Sequence, residues 1–190
     1  MKMPLLLSHV APFAAMYAMM VTAAILVDRG LHAVGLDHVG RHLGPIGTAL
    51  IVLSFVYSLR KRKIIASGSP RKYLMAHEYL AWAGSVLILV HAGIHFNARL
   101  PWLATYMLLI TVASGLVGKY LLRAAIRSLE EQQLELVAHG STGPEVEKKL
   151  FFDSVMVNAM KKWRVVHLPI ALTLGILTVL HVITVLMFGK

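Results

Sequence analysis

Residues 75–95 read MAHEYLAWAGSVLILVHAGIH. The stretch is apolar enough to lie in lipid, yet it carries His77, His91 and His95. Ionisable side chains inside a bilayer are costly and mark function more often than structure. Two questions therefore decide the fold and the function: whether this stretch is a membrane span, and what its histidines do there.

The rest of the chain answers the first. Of 190 residues, 57% are hydrophobic and 15% charged, against about a quarter charged in soluble domains. Mean hydropathy is +0.69. The apolar residues form runs near the length of about 20 residues that a spanning helix needs. These runs cover roughly 5–27, 44–59, 74–97, 101–123 and 165–188. The second is the shortest and has room to begin a few residues earlier. The first is preceded only by Lys2 among basic residues and shows no small-residue cleavage site, so it reads as a retained helix. The expected fold is all-α: an integral membrane bundle of about five transmembrane helices, a single domain over 1–190.

The net charge of +10 does not point to nucleic acid, because no nucleic-acid motif accompanies it. The basic residues sit beside the apolar runs, where they act as orientation and lipid-headgroup signals. With the N-terminus inside, only Arg29, Arg41, Arg99 and Lys190 of the 19 Lys and Arg fall outside. That asymmetry predicts a cytoplasmic N-terminus and an external C-terminus. The long inside piece, about 124–163, reads as a helical hairpin broken at HGSTGP, 139–144, since Gly and Pro punctuate helices. Thr142 and Glu145 have capping-box spacing for its second helix. The segment LFFDSVMVNAM, 150–160, is amphipathic enough to lie on the membrane or on a partner.

The absence of cysteine excludes disulfides, cysteine-held iron–sulfur clusters and covalent haem attachment. A bound metal would rest mainly on histidine. Here the spacing is informative. His77 and His91 are 14 residues apart in the third span, and His167 and His181 are 14 apart in the fifth. Fourteen helical residues rise about 21 Å and return to within about 40° of the starting face. With one span between them, the third and fifth helices run parallel. His77 then shares a depth with His167, and His91 with His181. Each cross-helix pair has the ligand set to clamp one haem iron from both sides, which stacks two haems between helices three and five. Neutral imidazole is the ligating form, so no bare charge is buried.

These residues resemble the di-haem membrane cytochromes b. The matching motif is His-x13-His on two parallel helices, the haem scaffold of cytochrome b in quinol oxidoreductase complexes. HEYLAWAGSVLILVHAGIH (77–95) also looks like the haem-binding helix of the ferric-reductase-like transmembrane family, which includes NADPH oxidases, and WRVVHLPIALTLGILTVLHVITV (163–185) fits the same architecture. The likeness covers about 74–188, and the first two helices match nothing specific. The resemblance implies two haem b groups and a bacterial or archaeal cytoplasmic membrane. It also implies an electron-transfer subunit between the quinone pool and a redox partner: a c-type cytochrome, an iron–sulfur protein or a flavoprotein. A quinone site fits this class, although no residue marks one. The chain lacks the flavin and nucleotide-binding domain of full ferric reductases, so a self-contained reductase is not expected. The alternatives are a metal or oxygen reductase fed by a separate cytoplasmic flavoprotein, and a haem-free transporter or proton conductor using the histidine row.

Several neighbours are read with the histidines. Gly84 lies midway between His77 and His91, about 20° off their line, where a side chain would obstruct stacked haems; close helix packing is the plainer account. Arg164, three residues before His167, shares its face and suits a haem propionate at the inner surface. Arg71, Lys72 and Arg99 have the same option, with interfacial anchoring the simpler explanation. His95 lies 18 residues after His77, on its line, but its counterpart on the fifth span is Val185, which cannot ligate. Three accounts stand for His95: a propionate partner, a quinone-site residue, or an interfacial histidine facing water. His32, Asp37, His38 and His42 fall in an outer loop with no recognised metal spacing. His9 suits lipid headgroups or a quinone pocket, His139 a solvated turn, and Met16, Met19 and Met20 packing rather than ligation.

Overall fold

The computed structural model describes residues 3–93 and 99–188. Its elements are α1 (Met3–Ala33), α2 (Asp37–Ser54), α3 (Val56–Lys61), α4 (Pro70–Ala92), α5 (Arg99–Leu116), a π-helical turn (Val117–Leu121), α6 (Leu122–Ala138) and α7 (Gly143–Phe188). Among the described residues there is no strand. Five segments are long and apolar enough to cross a membrane: Val10–Ala33, His38–Lys61, Pro70–Ala92, Arg99–Ala138 and Val165–Phe188. Their outer faces are apolar, as at Leu26, Val165, Leu186 and Phe188, all largely exposed. Such a surface is solvated by lipid, and helices satisfy their own backbone polar groups there. The chain is an integral membrane protein.

The helices outrun the apolar windows that mark them. α1 continues to Ala33 and α2 begins at Asp37, so the expected outer loop shrinks to a three-residue turn. His32 closes α1, and His38 and His42 lie in the first turns of α2. The hairpin is likewise an extension of two spans. α5 passes through the π-helical turn into α6, and α7 runs unbroken for 46 residues. Hydropathy reports where lipid ends, whereas the helical hydrogen-bond ladder is indifferent to that boundary. The break between α6 and α7 falls at HGSTGP. Gly140 takes φ +75°, the left-handed region that only glycine enters freely, and Ser141 N–H closes back on Leu136 O at 3.0 Å. Beyond it, Thr142 N–H donates to the Glu145 carboxylate at 3.0 Å, which is one half of the capping box.

Packing divides the bundle into two tight pairs. α2 lies along α4, and α5 along α7, while α1 touches α2, α4 and α5. Met20 and Ala24 of α1, Val90 of α4, Leu108 of α5, and Ala171 and Leu174 of α7 form the buried core. The full burial of Met20 accords with a packing role. Ser54, Ser85 and Ser114 are the buried polar side chains among the described residues. Each hydroxyl donates within its own helix, to Ile51 O, Ala81 O and Thr111 O at 2.6, 2.7 and 2.8 Å.

Candidate functional site

The α2–α4 seam is built around the two histidines of α4. His77 Nδ1–H donates to the Ser54 carbonyl at 3.0 Å, and His91 Nδ1–H to the Gly40 carbonyl at 3.1 Å. Midway, Gly84 meets Gly47: a Cβ built on Gly84 would lie 2.7 Å from Gly47 O and 2.9 Å from Ile51 Cγ1. The three levels are evenly spaced: Gly40, Gly47 and Ser54 on α2 stand against His91, Gly84 and His77 on α4. α2 is therefore an antiparallel rule whose two acceptor carbonyls are separated by the same 14 residues as the imidazoles, about 21 Å. Gly84, expected to leave room for a cofactor, is accounted for by this close helix crossing.

One of the two acceptors is released by a helix break. Ser58 N–H bonds Phe55 O at 2.8 Å instead of reaching Ser54 O, so the Ser54 carbonyl turns to His77. The Ser54 hydroxyl, bonded back to Ile51 O, competes with the ladder at that point. Tyr57, just beyond the break, sets its ring 5.6 Å from the His77 ring.

On the facing pair, α5 supports α7. The Ser114 hydroxyl is hydrogen-bonded with His167 Nδ1. Because that hydroxyl spends its proton on Thr111 O, its oxygen is the acceptor and His167 Nδ1–H the donor. Gly115 is in van der Waals range of the same ring, with a Cβ there 3.6 Å from His167 Cε1. The 14-residue spacing would pair His77 with His167 and His91 with His181 across α4 and α7.

Three of the four imidazoles thus have a protonated Nδ1 held by an acceptor of the protein. A neutral ring with a proton on Nδ1 carries its lone pair on Nε2. That arrangement, with an outer partner fixing tautomer and ring plane, is the one metal-binding histidines use. The donor set fits a metal taken by two axial imidazoles, as in haem. Among the described residues no group of three or more His, Asp or Glu side chains converges as a protein-only metal cage would need.

Next to His77 in α4, Glu78 forms an ion pair within the spans. Lys119 Nζ is 2.8 Å from Glu78 Oε2, and the same ammonium lies 5.4 Å from the Tyr120 ring centroid. Lys119 belongs to the π-helical turn; Ser114, before it, bonds α7, and Lys119, within it, reaches α4. π-Helical turns recur at functional positions. Sequence reading passed over Ser114, Glu78, Lys119 and the α2 carbonyls; an acid beside His77 and a lysine inside a span were the available signals.

The remaining expected residues are dispersed. His95 falls in 94–98, outside the described residues, as do the side chains of Arg164, Asp37 and His9. Arg71, Lys72 and Arg99 are exposed at helix starts. His32 and His139 bond backbone carbonyls one turn back, Asp28 O and Glu135 O, and are exposed, as are His38 and His42. Compared with protein-family models, curated proteins and solved structures, the chain matches none of them.

Proposed function

We propose that the chain is a di-haem b-type cytochrome subunit. It moves electrons across a membrane between the quinone pool and a redox partner protein of a larger complex. The observation that carries this reading is the repeated second-sphere pattern at His77, His91 and His167: Nδ1–H given to a protein acceptor, Nε2 left for a ligand. His77 and His167 would hold the inner group, His91 and His181 the outer one. Haem bound there supplies reversible one-electron chemistry at iron.

The chain's own part is to fix the ligands and adjust their basicity. Donation of Nδ1–H to a carbonyl or hydroxyl makes the imidazole a stronger donor and favours ferric iron. The apolar helices exclude water from both levels, and the Glu78–Lys119 pair sets the local charge beside the inner one. The protein would exchange electrons with partners at both surfaces. The basic segments of 60–72 and 148–164 orient it with both termini as the charge asymmetry indicates, N-terminus inside.

The test is a reduced-minus-oxidised optical spectrum of the purified protein, recorded with a quinol analogue and, separately, with a flavoprotein and NADPH. A b-type spectrum appearing with quinol supports the reading. Reduction by the flavoprotein alone points to the metal or oxygen reductase instead. No haem signal under any reductant sinks both and leaves a haem-free transporter or proton conductor.

A further inference from the structure

The glycine that matters most to the outer pair is not on the histidine helices. A Cβ built on Gly44 of α2 would lie 2.6 Å from His91 Cγ, 2.6 Å from Cδ2 and 2.8 Å from Nε2. Real Cβ atoms do not approach so closely in packed interiors. The ring has no easy retreat, since its Nδ1–H is tied to Gly40 O. Gly40 and Gly44 are one helical turn apart, so the imidazole lies lengthwise on a bare strip of α2 backbone. Gly40 itself has open space, with nothing within 4 Å of a Cβ. At the inner level His77 has an aromatic side chain beside it, Tyr57, with ring centroids 5.6 Å apart.

We propose that Gly44 is a positioning residue for the outer haem ligand: the missing side chain at 44 fixes the ring plane of His91 and so the geometry of the His91–His181 pair. The geometry stands on the structure alone, and its consequence rests on the di-haem reading. It makes the two levels unequal. The outer ligand is clamped against backbone, and the inner one lies beside an aromatic side chain.

The sign of the effect separates this role from ordinary packing. Alanine is a better helix former than glycine, so if helix stability alone mattered, Gly44→Ala would be harmless or beneficial. Pro45 follows and disfavours helical backbone for any side chain at 44, so a second variant is needed. The experiment compares the wild type, Gly30→Ala, Gly44→Ala and the Gly44→Ala/His91→Ala double variant by haem content and by the low-spin electron paramagnetic resonance of each haem. It adds nitrogen-15 histidine NMR of the haem-free protein.

Gly44→Ala is expected to shift or abolish the outer low-spin signal, weaken outer haem retention about 10–100-fold, and lose the His91 Nδ1–H bond by NMR, with the inner signal kept. Gly30→Ala, on α1 with open space around a Cβ, should match the wild type. If Gly44→Ala fails to fold, the double variant should fold and keep the inner haem, because the clash is gone. Unchanged outer and NMR signals in Gly44→Ala, equal loss at both levels, or a double variant as defective as the single would overturn the proposal. A wild type without haem would instead refute the di-haem reading, while the NMR comparison still judges the Gly44–His91 contact.

Discussion

Replacing Ser114 by alanine removes one oxygen from the bundle and tests the inner level at its least obvious point. The His167 Nδ1–H then loses its acceptor at a site where Ser114 itself is only 3% exposed. Leaving a buried donor unmade costs about 1–3 kcal/mol, and at about 1.4 kcal/mol per tenfold that is roughly 5- to 150-fold. The range found when an outer-sphere partner of a metal ligand is removed, about 10–100-fold in affinity, agrees. The expected outcome is inner haem retention weaker by that factor. The midpoint potential of the haem that remains should rise, because a less basic imidazole favours ferric iron less. The outer haem, about 21 Å away along the helix, should keep both its occupancy and its potential. Ser114→Thr retains a hydroxyl and should restore the inner level. The assay is a potentiometric titration of the two haems followed optically, with haem content measured on the same samples. An inner level indifferent to Ser114→Ala, or loss of the outer haem first, would refute the assignment of His167 and its support.

Gly84→Ala drives a methyl into Gly47 O; overpacking costs about 1–3 kcal/mol, and thermal unfolding should show that loss with both haems released together. Breaking the Glu78–Lys119 pair, which is partly exposed, should cost only about 0.5–1 kcal/mol. The inner midpoint should rise in Glu78→Gln, where a positive charge is left behind, and fall in Lys119→Met; shifts of the same sign in both would contradict the charge argument. His95→Ala should leave two haems per chain, and loss of the outer one would move the ligand from His91 to His95. Thr142 N–H, the Thr142 hydroxyl and Lys149 hold the Glu145 carboxyl below its ordinary range. Its support of the α6–α7 turn is therefore fully present above the ordinary carboxylate value and fades as pH falls through the lowered one. NMR titration of Glu145 should show a midpoint below that of free glutamate, and a midpoint at or above it would remove the cap.

Much of the scaffold can be read from the chain. Long apolar runs locate five spans because lipid demands length and hydrophobicity together. The repeated 14-residue histidine interval survives any error in helix ends, since spacing along a helix fixes depth and face. The turn at HGSTGP and the Thr142–Glu145 cap are local chemistry, legible for the same reason. Helix ends beyond lipid are not, as α1 and α7 show. Nor are the outer partners of the histidines. Gly40 O and Ser54 O are backbone atoms without a residue signature, and their 14-residue match to His91 and His77 appears only when the antiparallel register of α2 and α4 is known. Gly47 and Gly84 likewise make sense only as a pair. Ser114 reads as one more small polar residue until α5 is laid against α7, and Lys119 reaches Glu78 through a π-helical turn that no pattern in VGKYL announces.

In the proposed cytochrome, four histidines make two ligand pairs, one at each level. The haem-to-chain ratio of the purified protein, measured beside that of His91→Ala, tests this pairing most directly. The expected result is two haem b per chain in the wild type and one in the variant, with the inner haem's potential unchanged. A wild-type ratio of one or zero, or a variant that keeps two haems or loses both, would contradict it.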